Sequence, residues 1–331
     1  MVSEEIKRSS GINRNHHHHH HRHHKRWLKW LGVLAIFVVV VLACFGVLAY
    51  RNVRNASNNM YNKSNKTTSG LTSQMNASKP ISILVMGTDT GALGRSYKGR
   101  TDTIMMITLN PKTHKTLIVS VPRDMKVNLP GYSQYSPSKI NAAYTYGGVD
   151  ETISVIKNEF SVPIYAYGLI NMGGLEKAIN QVGGVDVKSP LTFSYEGYSF
   201  KKNVTYHMNG KKALAFSRMR YDDPRGDYGR QERQRLVVMA LLKESASYRT
   251  LLNNEFLDSV SKQVQTDLSL NSMLKLATSY RSALGTIKSD HAQGTTSNID
   301  GVSFEVVSKS ERQRVSNEVR KSLGLKTKTV E

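Results

Sequence analysis

The chain predicts a layered α/β (or α+β) domain carried behind one N-terminal transmembrane helix. Three observations lead there. Short β-branched and Met-rich apolar runs alternate with helix-period stretches over most of the length, the pattern of interleaved strands and helices. One run of 19 residues, Leu31–Ala49, carries no charge and is long enough to cross a bilayer. The 331 residues allow one large domain plus accessories.

Residues 1–30 form a basic, His-rich tail, with His16–His21, His23 and His24 read as a disordered tract. The span, 31–50, has Trp27, Trp30 and Tyr50 at its edges, where aromatic belts form. Arg22, Lys25, Arg26 and Lys29 outweigh Arg51 and Arg54 across it, which places the N-terminus in the cytoplasm and the bulk outside. Residues 51–79, rich in Asn, Ser, Thr and Lys, read as a flexible linker. The folded domain, 80–325, opens with Ile81–Met86, Thr103–Leu109 and Thr116–Val121 as strands of a buried sheet, the last two joined by a turn at Asn110-Pro111-Lys112. Asn141–Phe160 reads as a helix interrupted near Gly147-Gly148, followed by a strand at Ile164–Leu169 and a helix at Leu175–Gln181 stopped by Gly183-Gly184. Val185–Val187 and Leu191–Tyr195 read as short strands of a peripheral hairpin. Helices follow at Lys211–Phe216, Gln231–Ser245, Leu251–Val264 and Asn271–Leu284, then a strand at Gly301–Val307 and an amphipathic helix at Ser310–Leu323. Residues 326–331 read as a frayed tail.

Lys+Arg number 46 against 25 Asp+Glu, a net charge of +21 that suits an anionic surface: nucleic acid, acidic lipid or phosphate-rich polymer. The outside placement of the domain removes nucleic acid as a partner. Cys44 is the only cysteine, so disulfides and thiolate metal sites are excluded. Walker A, HExxH, GxSxG and GxGxxG patterns are absent, and with them the signals for an NTPase, zincin, α/β-hydrolase or Rossmann enzyme.

The stretch Ser217–Arg235, SRMRYDDPRGDYGRQERQR, holds six arginines and no lysine. Arginine's planar fork is what bidentate recognition of phosphate requires. Arg218 and Arg220 stand two apart in what reads as an extended exit from a helix, so both point the same way. From about Gly229 a helix places Arg230, Arg233 and Gln234 on one face that continues as Val237 and Leu241 and so turns inward. Strand ends contribute acids and further arginines: Asp89 after the first strand, Arg100 and Asp102 before the second, Arg123 and Asp124 after the third, with Lys139 and Asn141 opening the next helix. Taken one at a time, Arg100–Asp102 reads as a surface pair, Asp124 as a cap and Asp89 as a turn residue. Together they supply what a diphosphate with Mg²⁺ needs, namely several cationic donors and carboxylate oxygens.

The motifs GTDT, RTDTIM, SVPRD, KINAAYTYGG and GKKALAFSRMRYDDPRGDYGRQERQR, in that order after one span, resemble the LytR–CpsA–Psr family of envelope proteins. The resemblance implies an α-β-α sandwich around a mixed sheet, with an apolar pocket for a polyprenyl chain beneath a diphosphate site. It also implies a membrane-anchored extracytoplasmic phosphotransferase of the Gram-positive envelope. Such an enzyme moves a phosphorylated glycopolymer, teichoic acid or capsular polysaccharide, from an undecaprenyl-diphosphate carrier to peptidoglycan. On this resemblance Asp89 and Asp102 are the Mg²⁺-associated acids. Arg100, Arg123, Arg218, Arg220 and Arg230 bind the diphosphate, with Gln234 beside them and Asp227 as the acid of the GD-x-GR motif. Asp89, Asp102, Arg123, Arg218 and Arg220 are the expected catalytic set. Two other readings use the same residues: a non-catalytic polymer-binding or regulatory protein, and a polyprenyl-diphosphate phosphatase with water as acceptor. Ile153–Ile156, Ile164–Ile170 and Val237–Leu242 are candidates for the lipid pocket as well as for ordinary core.

Overall fold

A computed structural model describes residues 50–88, 99–245 and 261–331. The expected membrane span, the His tract and Asp89 lie outside these residues, as does most of the helix expected at Leu251–Val264. Among the described residues, no helix is long and apolar enough to cross a membrane.

In chain order, α1 (Leu71–Asn76) precedes β1 (Ile81–Thr88), β2 (Thr101–Asn110), β3 (Lys115–Ser120), and the short β4 (Lys126–Val127) and β5 (Ser138–Lys139). Next come α2 (Ile140–Phe160), β6 (Ala166–Asn171), α3 (Met172–Gln181), β7 (Val185–Lys188), β8 (Phe193–Tyr195), β9 (Tyr198–Phe200) and β10 (Thr205–Met208). The chain continues through α4 (Gly210–Arg218), α5 (Asp227–Ser245), β11 (Val264–Thr266), α6 (Leu270–Thr278), β12 (Thr286–His291), β13 (Thr295–Ile299), β14 (Val302–Val306) and α7 (Lys309–Ser322).

The central sheet has six strands in the order β11-β6-β1-β2-β3-β12. It is mixed: β1–β2, β2–β3 and β6–β11 are antiparallel, β1–β6 and β3–β12 parallel. Its strands carry apolar residues on both faces, because both faces are covered. Leu84, Met86, Ile104, Met106, Leu117 and Val119 pack with α2 and α7 in the main core. The alternate residues Met105, Ile107 and Ile118 face α5, where Val238 and Met239 meet them, while Ile81 and Ile83 pack with Leu268 and Tyr280. A second apolar cluster joins α3, α4 and the β7–β10 hairpins to α5 through Phe193, Phe200, Phe216 and Val237. The three layers are those the family resemblance implies.

The expected break in the long helix is a kink at Gly148, whose φ of 68° and ψ of −151° lie outside helical space. Four expectations need correction. Residues 51–79 are not a free linker: the Asn62 N–H donates to the Thr266 carbonyl (2.8 Å), the Thr68 N–H to that of Ile164 (2.6 Å), and Met75 is buried. Composition cannot reveal that such a polar strap has backbone acceptors waiting in the domain. The tail is not frayed either, since Val330 is fully buried and its N–H donates to Gln313 Oε1 at 2.9 Å. Strands β7 and β8 do not pair with each other; β7 pairs with β10, and β8 with β9. The reason is local. Glu196 and Gly197 both hold positive φ, which makes a two-residue hairpin turn between β8 and β9. Finally, Val264 belongs to β11 and not to a helix, and the helix expected to reach Leu284 stops at Thr278.

Candidate diphosphate site

The site forms at the sheet edge where β1 ends, β2 begins and β3 ends. Thr88 is opposite Thr101, and the Val121 N–H extends the β2–β3 ladder to the Ile104 carbonyl (2.9 Å). Pro122 then takes the chain out of the sheet and delivers Arg123 beside Asp102, with Nη1 2.7 Å from Oδ1. Arg123 Nε lies 3.6 Å from Asp124 and 4.0 Å from Asp227. The loop is pinned by the Asn141 N–H, which donates to the Arg123 carbonyl (3.1 Å), and by the pairing of Lys126 with Lys139. Two local readings are thereby corrected. Asp102 pairs with Arg123 rather than with Arg100, and Asp124 takes Lys139 at 3.1 Å rather than capping a helix.

The second half comes from α4 and α5. Helix α4 ends at Arg218 because Met219 turns extended (φ −53°, ψ 136°). Arg218, half-buried, and Arg220, exposed, therefore flank the buried Met219. A turn at Asp223–Gly226 follows, and α5 starts at Asp227, two residues before the expected Gly229. Gly229 must be glycine, since a Cβ there would stand 1.8 Å from Asp223 Oδ2.

The six arginines of this stretch divide between two tasks. Arg233 is fully buried: its guanidinium donates to Asp223, to the Phe216 carbonyl (3.1 Å) and to the Met219 carbonyl, and sits over the Phe193 ring at 5.2 Å. It clamps α4 to α5 and is not an anion donor, although helical spacing sets it on the face of Arg230 and Gln234. Arg235 is buried against Ser120 Oγ (2.7 Å), and Arg225 bridges Asp223 and Glu232. That leaves Arg218, Arg220 and Arg230. Arg230 is buried and paired with Asp227, whose other oxygen accepts from Gln231 Nε2 (2.8 Å). Among the described residues Arg100, Arg218 and Arg220 have no ion-pair partner.

Electrostatics bind the two halves together. Burial weighs against the Arg123 charge, but Asp102, Asp227 and Asp124 outweigh it and hold that guanidinium above its ordinary pKa. Arg230 falls the other way: burial, with Arg123 and Arg220 close by, holds it below its ordinary value despite Asp227. The Nε–H groups of Arg123 and Arg230 are buried and reach no acceptor within hydrogen-bond geometry, and an unpaired buried donor is costly until an acceptor arrives.

Below the cluster, a narrow apolar cavity of about 20 Å³ lies between the sheet and α5, lined among others by Val85, Met105, Ile170 and Val238. Gln234 and Thr103 roof it, with Thr103 Oγ1 donating to Gln234 Oε1 at 2.8 Å. Of the segments expected beside lipid, Ile170 and Val238 line this cavity, whereas Ile153, Val155, Ile156, Ile164 and Leu169 belong to the main core. For Mg²⁺ the donor chemistry fits: Asp102 is about a third exposed (32%) and gives only Oδ1 to Arg123. Magnesium is commonly held by one or two carboxylates together with substrate phosphates. Among the described residues no group of three or more His, Cys, Asp or Glu could hold a metal unaided.

The LytR_cpsA_psr family model matches residues 47–321. The chain belongs to the LytR–CpsA–Psr family. Its relatives in this family include the polyisoprenyl-teichoic acid–peptidoglycan teichoic acid transferase TagU of Enterococcus faecalis, 43% identical over 253 residues, covering 76% of this chain and 82% of that protein. TagU of Bacillus mycoides is 38% identical over 256 residues, covering 77% and 82%. Among solved structures, the crystal structure of B. subtilis TagU matches with a TM-score of 0.61 and 33% identity, over 75% of this chain and 98% of that one.

The structure brings Asp102, Arg123, Asp227 and Arg230 together, with Gln234 one turn on from Arg230 and bonded to Thr103, sets Arg220 near Arg230, places Arg218 half-buried at the end of α4, and leaves Arg100 exposed. Sequence reasoning missed the tyrosines Tyr132, Tyr135 and Tyr146 near this edge. Their density in GYSQYSPS and AAYTYGG was the available signal.

Proposed function

We propose that this LytR–CpsA–Psr protein transfers a phosphate-linked glycopolymer from a polyprenyl-diphosphate carrier to peptidoglycan. In the step itself an acceptor hydroxyl oxygen bonds to the phosphorus that carries the polymer. The bridging P–O bond breaks, polyprenyl monophosphate leaves with its electron pair, and the hydroxyl proton is lost. Arg123 and Arg230 meet the diphosphate with their unsatisfied buried donors, and Arg218 and Arg220 neutralise the charge that grows on the leaving phosphate. Asp227 and Asp102 keep the cationic groups aligned. The prenyl chain enters at the narrow apolar cavity lined by Val85, Met105 and Val238, which has to widen between the sheet and α5 to admit it. Mg²⁺ held by Asp102, together with Asp89, would draw charge from the phosphate oxygens. Residues 31–50 would anchor the protein in the membrane, the N-terminus inside and the domain in the wall.

The observation that carries this reading is that Arg123 and Arg230, each tied to a carboxylate by one end of its guanidinium, leave a buried Nε–H without an acceptor, with Arg220 close by and a narrow apolar cavity beneath. The test is transfer of labelled polymer to peptidoglycan by purified protein. Arg218→Ala and Arg220→Ala are each expected to lower the rate by about 100-fold or more with the fold intact; unchanged transfer in either removes the assignment. Product analysis with and without peptidoglycan separates transfer from hydrolysis to water.

A further inference from the structure

Near the arginine cluster, three tyrosines gather on the surface. Tyr135 stacks on Tyr146, with ring centroids 4.3 Å apart and planes at 10°, and Tyr132 leans on Tyr146 at 6.0 Å and 31°. Such rings usually fill a core, yet Tyr135 is 48% exposed and Tyr146 38%. The loop that presents two of them is held in place. Buried Glu151 accepts from the Gly131 N–H at 3.0 Å, and Ser136 Oγ accepts from the Leu129 N–H at 2.8 Å. A Cβ at Gly147 would strike Tyr132 Cε2 at 2.6 Å and Glu151 Cβ at 2.4 Å, so glycine permits the close approach. Two links tie this platform to the site: Thr145 Oγ1 donates to the Gly99 carbonyl (3.1 Å), next to Arg100, and Lys139 pairs with Asp124.

The platform and the apolar cavity use opposite faces of the sheet. Tyr132 packs on the core that α2 makes with Leu84, Met86, Ile104 and Met106. The cavity is lined by Val85, Thr103 and Met105, which point the other way along the same strands, together with α5 and β6 residues, and reaches Met86 at the end of β1. Phosphoryl transfer runs with the attacking and leaving oxygens roughly in line. With the prenyl phosphate leaving toward the cavity, the acceptor hydroxyl arrives from the tyrosine side.

We infer that Tyr132, Tyr135 and Tyr146 form the acceptor subsite, a platform on which pyranose rings of the peptidoglycan glycan strand stack. This rests on the transferase reading. Ring faces carry the negative side of the aromatic quadrupole and attract the weakly positive C–H groups on one face of a pyranose. Tyrosine also supplies rigid area at low entropy cost, with a hydroxyl to bond the sugar's edge.

The test uses the full-length protein in detergent. The Tyr135→Ala/Tyr146→Ala variant is expected to raise KM for the acceptor glycan about fivefold or more, with kcat and donor KM unchanged. Both side chains are substantially exposed, so its melting temperature should stay near wild type; Tyr135→Trp/Tyr146→Trp, which keeps the ring faces, should retain the wild-type acceptor KM. A second arm needs no catalysis: chitotetraose titrated into donor-free protein should bind the wild type and lose most of that binding in the Ala variant. Protein that binds chitotetraose through these tyrosines but transfers no polymer keeps the platform and sinks the transferase reading. An unchanged acceptor KM with unchanged chitotetraose binding, or a rise confined to the donor KM, overturns the platform.

Discussion

Replacing Arg233 by methionine tests how the site is held up. Both Arg233 and Asp223 side chains are fully buried. Removing one partner of a buried pair costs about 3–5 kcal/mol, and here Asp223 keeps only the half-exposed Arg225. The Phe216 and Met219 carbonyls also lose donors, while methionine refills most of the volume and keeps a contact with Phe193. These terms are not additive, and a net loss of about 4 kcal/mol is expected for Arg233→Met, a drop of roughly 8–16 °C in Tm for a domain this size. The assay is thermal unfolding followed by near-UV circular dichroism. A pH series sharpens it. In the wild type burial pushes the Asp223 carboxyl up, but the Arg225 amide and the Arg233 guanidinium outweigh it and hold it below its ordinary value. That stability is present above the ordinary carboxyl range and is lost as pH falls through the depressed folded value. In the variant Asp223 keeps only the Arg225 amide and guanidinium against its burial, its pKa rises, and protonation relieves it. The gap between variant and wild type should therefore narrow from pH 7.5 to about pH 4.5. Arg233→Met/Asp223→Leu, which removes both charges, should recover at least half of the loss. A Tm drop of less than about 3 °C, or a gap that widens in acid, would refute the reasoning.

Val238→Trp, placed in the wall of the cavity under Gln234, should raise the KM for a long-chain polyprenyl donor about tenfold and leave binding of a short, water-soluble diphosphate unchanged, as read by steady-state kinetics and titration. Chelation by EDTA should abolish transfer and added Mg²⁺ restore it, with Asp102→Asn requiring about tenfold more metal, measured as activity against free Mg²⁺. Truncation after Leu325 strips the buried Val330 and its bond to Gln313, and should lower stability by about 1–3 kcal/mol in urea unfolding.

The sheet's first three strands and the broken helix α2 were legible because their signals are local. Val/Ile/Met runs on two covered faces leave no other assignment, and Gly148 sits at the kink it was expected to make. β12 was not legible. Its sequence TIKSDH is polar, and as an edge strand it owes its place to the β3 ladder and not to burial. The packed strap at 51–79 and the docked tail depend likewise on acceptors far away in sequence. At the site, the gathering of Asp102, Arg123, Asp227 and Arg230 followed from strand ends and motif order. What spacing could not divide was the arginine stretch itself: Arg233 and Arg230 stand one turn apart, and only Asp223, brought close by the turn at Gly226, makes the first a clamp and leaves the second for an anion.

The most direct measurement is the affinity of the purified protein for a short-chain polyprenyl diphosphate, compared with the corresponding monophosphate and with Arg218→Ala and Arg220→Ala. A cationic cluster built around Arg123 and Arg230 predicts that the diphosphate binds the wild type at least tenfold more tightly than the monophosphate, and that either substitution removes most of this preference. Equal binding of the two phosphates, or a preference untouched in both variants, would contradict the account.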